Sequence, residues 1–312
     1  MTSPIILRIV SFLLAIILAL GLSPLLDGVG RKIKARIQYR MGPPVLQTAY
    51  DLSKLLRTPS LVVGGKGFII APYIALTSAL LSITILPIGG ISPISFSYDI
   101  FVFLYVLAMV SIAFMMAGFS VNNTYANIGA NREMMLILSV EPVLGLALAI
   151  LALLTGSLNI EGIIGSIRLM NPMYIPLLFT VYAILAYIVY VEGGFIPFDV
   201  AEAETEILEG PLCEYSGRLL GVFKWALLIK RLTLVWLLSS LIIVPLTPYP
   251  TSIPSYIFTL TLQLLLTLVI YSVIAANEAH MARYKIDWII SLNKYVFLAV
   301  LVLFIVTMVV RL

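Results

Sequence analysis

Seven of the fifteen acidic residues in this chain fall between Glu192 and Glu214, in the stretch EGGFIPFDVAEAETEILEGPLCE. Apolar runs flank it on both sides. Carboxylates are costly in hydrocarbon, so their concentration at a membrane edge points first to proton handling. Pro197-Phe198-Asp199-Val200-Ala201-Glu202 reads as a helix start, with Asp199 as cap and Glu202 three residues on, as in a capping box. On such a helix Glu202, Glu206 and Glu209 share one face and Glu204 points elsewhere. Like charges at that spacing repel, so some should be protonated near neutrality or bind cations. A solvated acidic face accounts for Glu209. For Asp199, Glu202, Glu204, Glu206 and Glu214, closeness to two spans favours proton transfer or docking. Glu141 stands about two turns beyond Arg132-Glu133, inside an apolar run and just before Pro142. It is either a relay group or a structural carboxylate paired to an arginine or capping a helix kink, and the relay is preferred because intramembrane ionisable groups are functional by default. Lys224 and Lys230-Arg231 lie in the next apolar run, where they counter these carboxylates or snorkel to the interface.

The elements that must hold these groups are membrane spans. Of 312 residues, 61% are hydrophobic and only 11% charged, against roughly 25% charged in a soluble domain. Mean hydropathy is +1.10. The expectation is an all-α integral membrane protein, a single membrane domain over 1–312. About eight transmembrane helices are expected, near 5–25, 68–90, 99–120, 134–156, 174–192, 219–246, 254–276 and 288–310, with amphipathic cytoplasmic helices between them. The first run follows only Arg8 and lacks a clear cleavage site, so it reads as an uncleaved anchor. One cysteine, Cys213, excludes an internal disulfide and a cysteine-ligated iron–sulfur site, and one histidine, His280, excludes a histidine-rich metal or haem site. The net charge of +4 needs no nucleic acid, because basic loops orient membrane proteins.

The 26–67 loop holds Arg31, Lys32, Lys34, Arg36, Arg40, Lys54, Arg57 and Lys66, whereas the loops on the opposite side hold only Arg168. The positive-inside rule puts the 26–67, 121–133, 193–218 and 277–287 loops in the cytoplasm and both termini outside, in the cell membrane. Up to Met41 the first loop alternates basic and apolar residues as an amphipathic helix does. Gly42-Pro43-Pro44 breaks it, and a second piece runs from Val45 to Leu56. A basic helix of this kind either rests on anionic lipid or offers a docking platform to a soluble partner. Arg283, Lys285 and Asp287 read mainly as an anchor at the start of the last span.

Several blocks are then recognisable in order: RKIKARIQYRMGPPVLQ, YDLSKLL, IGANREMMLILSVEP, PFDVAEAETEILEGPLCEYSG followed by FKW, and MARYKIDW. Over essentially its whole length the chain resembles the H subunit of respiratory complex I, also called NADH dehydrogenase subunit 1. Within that family it is more similar to subunit 4 of formate hydrogenlyase and the membrane subunits of membrane-bound nickel–iron hydrogenases. The quinone-reducing branch has an acidic residue before the basic pair where this chain has Gly30. It has Asn-Arg where this chain has Gly194-Phe195, and Gly-Tyr where it has Gly210-Pro211.

The resemblance implies that Glu141, Glu192, Asp199, Glu202, Glu204, Glu206 and Glu214 form a path from a redox module to proton- or sodium-moving antiporter-like subunits, and Lys224, by its place in the sixth span, is counted with them as a countercharge. Arg31, Lys32, Arg36, Arg40, Gly42 and Pro43, with Arg132 and Arg283, form the expected docking face for hydrogenase-like large and small subunits. The expected role is an anchoring and ion-coupling subunit with no redox centre of its own. Iron–sulfur clusters, with or without nickel–iron, would reside in its partners. The alternative is the quinone-site subunit of a complex I-like oxidoreductase, and a sulfur-reducing relative would share the same motifs. A stand-alone transporter is disfavoured, since no paired broken helices are found.

Overall fold

The computed structural model describes residues 4–250 and 252–311, without the side chains of Pro4, Ile5, Glu204, Thr205 and Val310. Eleven α-helices follow one another: α1 (Pro4–Ile37), α2 (Gln47–Arg57), α3 (Lys66–Ile85), α4 (Asp99–Phe119), α5 (Thr124–Thr155), α6 (Ile160–Arg168), α7 (Ile175–Glu192), α8 (Glu204–Ile207), α9 (Gly217–Leu246), α10 (Ile253–His280) and α11 (Ile286–Arg311). Eight of them, all but α2, α6 and α8, are long and apolar enough to cross a membrane. The chain is a multi-pass membrane protein.

Several boundaries move outward from the apolar runs, because a helix does not stop where hydrophobicity does. α1 has 34 residues and passes through Pro24. At 1.5 Å per residue it is about 50 Å long against a hydrocarbon core of about 30 Å. The basic segment read as a separate amphipathic helix is therefore the projecting end of the first span. The chain turns back at Tyr39, which has a positive φ of 54°. Gly42 then lies so close to α1 that a Cβ would come within 2.7 Å of the Ala35 methyl. α5 starts ten residues before the apolar run, where Asn123 caps it by accepting the Tyr125 N–H at 2.8 Å. Arg132 and Glu133 thus lie two turns inside α5 and do not open it.

α9 is the central helix, with 78% of its most apolar window buried, against 17% for α11. It packs against α1, α2, α3, α7 and α10. Small residues allow close approach: Ala71, Ala75 and Ala79, spaced by four on α3, are all fully buried where α3 meets α4 and α9. α6, an amphipathic helix that the apolar runs do not reveal, turns Ile160, Ile163, Ile164 and Ile167 inward. Arg168 at its end donates to the carbonyls of Val244 and Thr247. Arg168 thereby caps the end of α9.

Candidate functional site: a charged chamber leading to buried carboxylates

The ending of α7 shapes the site. Gly194 has a φ of +61°, the left-handed region that suits glycine. From α9, Arg231 donates to the carbonyls of Gly193 at 2.8 Å and Gly194 at 3.1 Å. A cation thus meets the negative end of α7. The guanidinium also lies 5.5 Å from the centre of the Phe195 ring. The Gly194-Phe195 pair that departs from the quinone-reducing pattern therefore serves a definite purpose here. Glycine permits the turn, and the phenylalanine carries an arginine supplied from another helix.

Beyond this turn the acidic segment is not the helix that its capping box suggests. Only Glu204–Ile207 is α-helical, a short 3-10 turn follows at Gly210–Leu212, and Leu208 and Glu209 between them both take positive φ, at 52° and 68°. Glu202, Glu206 and Glu209 do not share a face. Asp199 pairs with Arg283 at 3.0 Å, Glu202 with Arg231 at 3.7 Å, Glu206 with Arg132 at 2.7 Å and Glu209 with Lys224 at 3.3 Å. Each carboxylate finds a cation on another part of the fold, and that tertiary pairing overrides the local helix signal.

Asp199 and the Glu202–Arg231 and Glu209–Lys224 pairs line a chamber of about 530 Å³ between α1, α2, α9, the end of α10 and the acidic segment. The charged residues of its wall are almost evenly divided between acids and bases, and the rest of the lining is mostly apolar. On the α1 side Arg31 pairs with Asp27 at 2.9 Å and with Asp51 at 3.5 Å, and Lys34 holds Glu278 at 2.6 Å. Partly buried charges are tolerated because they are matched. Burial pushes the Glu202 carboxyl up to about 7; the Arg231 charge opposes this, while Asp199 and Glu133 add to it. Part of its side chain, 27%, still faces the chamber.

Behind the chamber wall a small hollow of about 40 Å³ is lined by Glu133, Glu192, Asp199, Glu202, Lys230 and Arg231. It is large enough for a water molecule. Glu192 also borders a second hollow of about 380 Å³, where it meets Glu141 between α4 and α5. The row Glu202, Glu192, Glu141 thus passes from the chamber, through the buried Glu192, to a hollow that opens on the outer face between α4 and α5 beside the exposed Phe101, Tyr105 and Leu138.

The structure brings Glu141, Glu192, Asp199 and Glu202 into this one row. Glu206 points away from it, half exposed at Arg132. Glu214 sits in a separate hollow beside Asn123, to which it is hydrogen-bonded. Lys224 belongs to the chamber wall, at Glu209. The side chain of Glu204 lies outside the described residues. Of the expected docking residues, Arg31, Arg132 and Arg283 are engaged in internal ion pairs, Lys32 and Pro43 are half-buried, and Arg36, Arg40 and Gly42 are exposed. The site also uses Glu133, Lys230 and Arg231, together with Asp27 and Glu278. The Lys230-Arg231 doublet within an apolar run was the visible signal for two of them, while Asp27 and Glu278 reach the chamber only through the overlength ends of α1 and α10. Among the described residues, no group of three His, Cys, Asp or Glu side chains is placed to hold a metal ion.

The fold and site define a polytopic membrane protein that carries a matched charge network into its hydrophobic interior. Residues 9–309 match the NADH dehydrogenase family, and the chain belongs to that family of membrane subunits of complex I-like and hydrogenase-type energy-converting complexes. It is 34% identical to hydrogenase-4 component C of Escherichia coli over 86% of this chain and 85% of that one. It is equally identical, at 34%, to formate hydrogenlyase subunit 4 of Escherichia coli, over 86% of this chain and 88% of that one. The H subunit of the NADH-quinone oxidoreductase of Thermomicrobium roseum is 32% identical over 67% of this chain and 70% of that one. A chain in the structure of the membrane-bound sulfane sulfur reductase, an archaeal respiratory membrane complex, shares the fold with a TM-score of 0.84 at 24% identity, covering 96% of this chain and 99% of that chain.

Proposed function

We propose that this chain anchors a soluble hydrogenase-like redox module of large and small subunits at the cytoplasmic membrane surface and couples its turnover to proton or sodium movement. The redox centres, iron–sulfur clusters with or without nickel–iron, belong to those partners. Antiporter-like membrane subunits receive the coupled charge. The observation that carries the coupling role is the row Glu202–Glu192–Glu141, which joins a charged chamber to the outer groove between α4 and α5 through two hollows that share Glu192. Support for the anchoring role comes from the projecting end of α1. Arg36 and Arg40 are exposed there, and Tyr39 and Met41 are fully exposed. Bare aromatic and thioether side chains beside arginines suit a protein interface.

The test is Glu141→Gln in the assembled complex, measured as ion movement into sealed vesicles. The variant keeps size and hydrogen bonding but cannot titrate. Translocation should be lost while partner attachment and cofactor content stay at wild-type levels, and Asp287→Asn, an exposed change at the start of α11, should leave coupling intact. Undiminished translocation in Glu141→Gln would make Glu141 a structural carboxylate. A second reading, a quinone-site subunit, is favoured by the size of the chamber, about 530 Å³. Photolabelling of chamber residues by a quinone analogue, competed by quinone, would select it.

A further inference from the structure

α4 and α11 both pack against α5 and leave a hollow of about 410 Å³ between them, toward the end of the bundle remote from the chamber. Phe101 and Leu104 of α4 and Phe304 of α11 form its walls, and Gly145, Leu148 and Ala152 of α5 form its floor. From Gly145 to Gly156 the floor is about 16 Å long, which makes the hollow about 25 Å² in section. An α-helix about 10 Å across needs about three times that section, whereas a hydrocarbon chain fits. Apart from Ser157 and Arg311 the lining is apolar or glycine, and both of these stand where α5 finishes.

Arg311 is folded back and does not trail into solvent. α5 ends at Gly156, whose φ of +73° suits glycine. A Cβ there would lie 2.8 Å from Nη2 of Arg311, so the guanidinium occupies space that a side chain at this position would take. Three arginines lie at this end of the bundle: Arg8, Arg168 and Arg311. Arg8 pairs with Glu161, and Arg168 donates to the last carbonyls of α9. The other acid at this end, Asp99, is buried and accepts the Ile160 N–H at 2.8 Å. Among the described residues Arg311 has neither an ion pair nor a hydrogen-bonded carbonyl. A cation without a countercharge thus stands over the open end of an apolar trough.

We propose that this hollow binds an anionic phospholipid, with an acyl chain in the trough between α4 and α11 and the phosphate on the Arg311 guanidinium. The forked donors of arginine match phosphate oxygens. An arginine at the end of a span lies at headgroup level, so one molecule satisfies both the apolar and the charged half of the site. A zwitterionic lipid brings the same phosphate together with an ammonium, and net charge therefore sets the preference.

The experiment uses the assembled complex in phosphatidylcholine nanodiscs, doped with a phosphatidylglycerol or a phosphatidylcholine that carries the same photoreactive group in its acyl chain. Mass spectrometry of the digested chain locates the label. At equal doping the phosphatidylglycerol probe should label residues 145–158 about fivefold more than the phosphatidylcholine probe, the weight of one arginine near a membrane surface. Arg311→Gln should equalise the two. Gly145→Leu tests the trough separately. A Cβ at 145 meets nothing within 4 Å and leucine favours a helix over glycine, so the fold accepts the change while the side chain enters the hollow. This variant should lose labelling of 145–158 by both probes and keep labelling elsewhere on the chain. Equal labelling by the two probes in the wild type, or a preference that survives Arg311→Gln, would overturn the site. Undiminished labelling in Gly145→Leu would place the acyl chain elsewhere and overturn it too. A wild-type complex labelled elsewhere but not at 145–158 would mean that a partner's span fills the trough, and would also overturn it. Excess inorganic phosphate should leave the preference unchanged; its collapse would make the ligand a free anion and not a lipid.

Discussion

Replacing Glu202 by glutamine should abolish a loss of stability that runs from about pH 4.5 to about pH 7. Burial moves this carboxyl from 4.5 to about 7. At about 1.4 kcal/mol per pH unit the difference corresponds to roughly 3 kcal/mol. Because 27% of the side chain faces the chamber, solvent screening reduces the expected effect to about 2 kcal/mol. The sign follows from linkage. The fold favours the neutral form, so the contribution is fully present below the unfolded value of 4.5 and is lost as pH rises through about 7. Glutamine mimics the neutral carboxyl and carries no titration. The assay is the melting midpoint of the detergent-solubilised protein between about pH 5 and about pH 8.5. The wild type should lose several degrees more than Glu202→Gln over that range, about 2 kcal/mol for a chain of this size. Parallel pH profiles in the two proteins would refute the reasoning. They would mean that the Arg231 pair at 3.7 Å offsets desolvation and keeps Glu202 ionised throughout.

Two further outcomes test the proposed architecture. Arg36→Glu combined with Arg40→Glu, at exposed positions on the projecting tip, should release the soluble module from membranes while the chain stays inserted, read by pull-down; retention would mean that the tip rests on lipid. With Cys213→Ser as background, Ser53→Cys should be labelled only from the cytoplasmic side and Ser97→Cys only from outside; both positions are exposed. Labelling of Ser53→Cys from outside would reverse the orientation. Burial and the neighbouring Glu214 charge hold the Cys213 thiol above its usual range, so its own background reactivity should be low.

Hydropathy alone located all eight spans, because a bilayer demands about 20 apolar residues for each crossing and little else in the chain meets that demand. The ordered motifs from RKIKARIQYRMGPPVLQ to MARYKIDW were sufficient to suggest the family, and the composition told which groups were scarce enough to need a reason. Other features were settled only by tertiary structure. Whether Asp199 to Glu209 is a helix depended on Arg283, Arg231, Arg132 and Lys224, which arrive from α5, from α9 and from the segment before α11. A capping box is worth about 1 kcal/mol and yields to four such pairings. The prominence of Lys224 over Lys230 was likewise a matter of depth. Both look alike in the sequence, but one meets Glu209 in the chamber wall and the other is buried between Ser111 and Glu192. The order of the carboxylates is also invisible in the chain: Glu141 precedes Glu192 by fifty-one positions. They border one hollow only because the end of α7 is held against α9 by Arg231 while α4 and α5 pack side by side. Sequence spacing reports faces of a single helix, whereas a path through a bundle is made of contacts between helices.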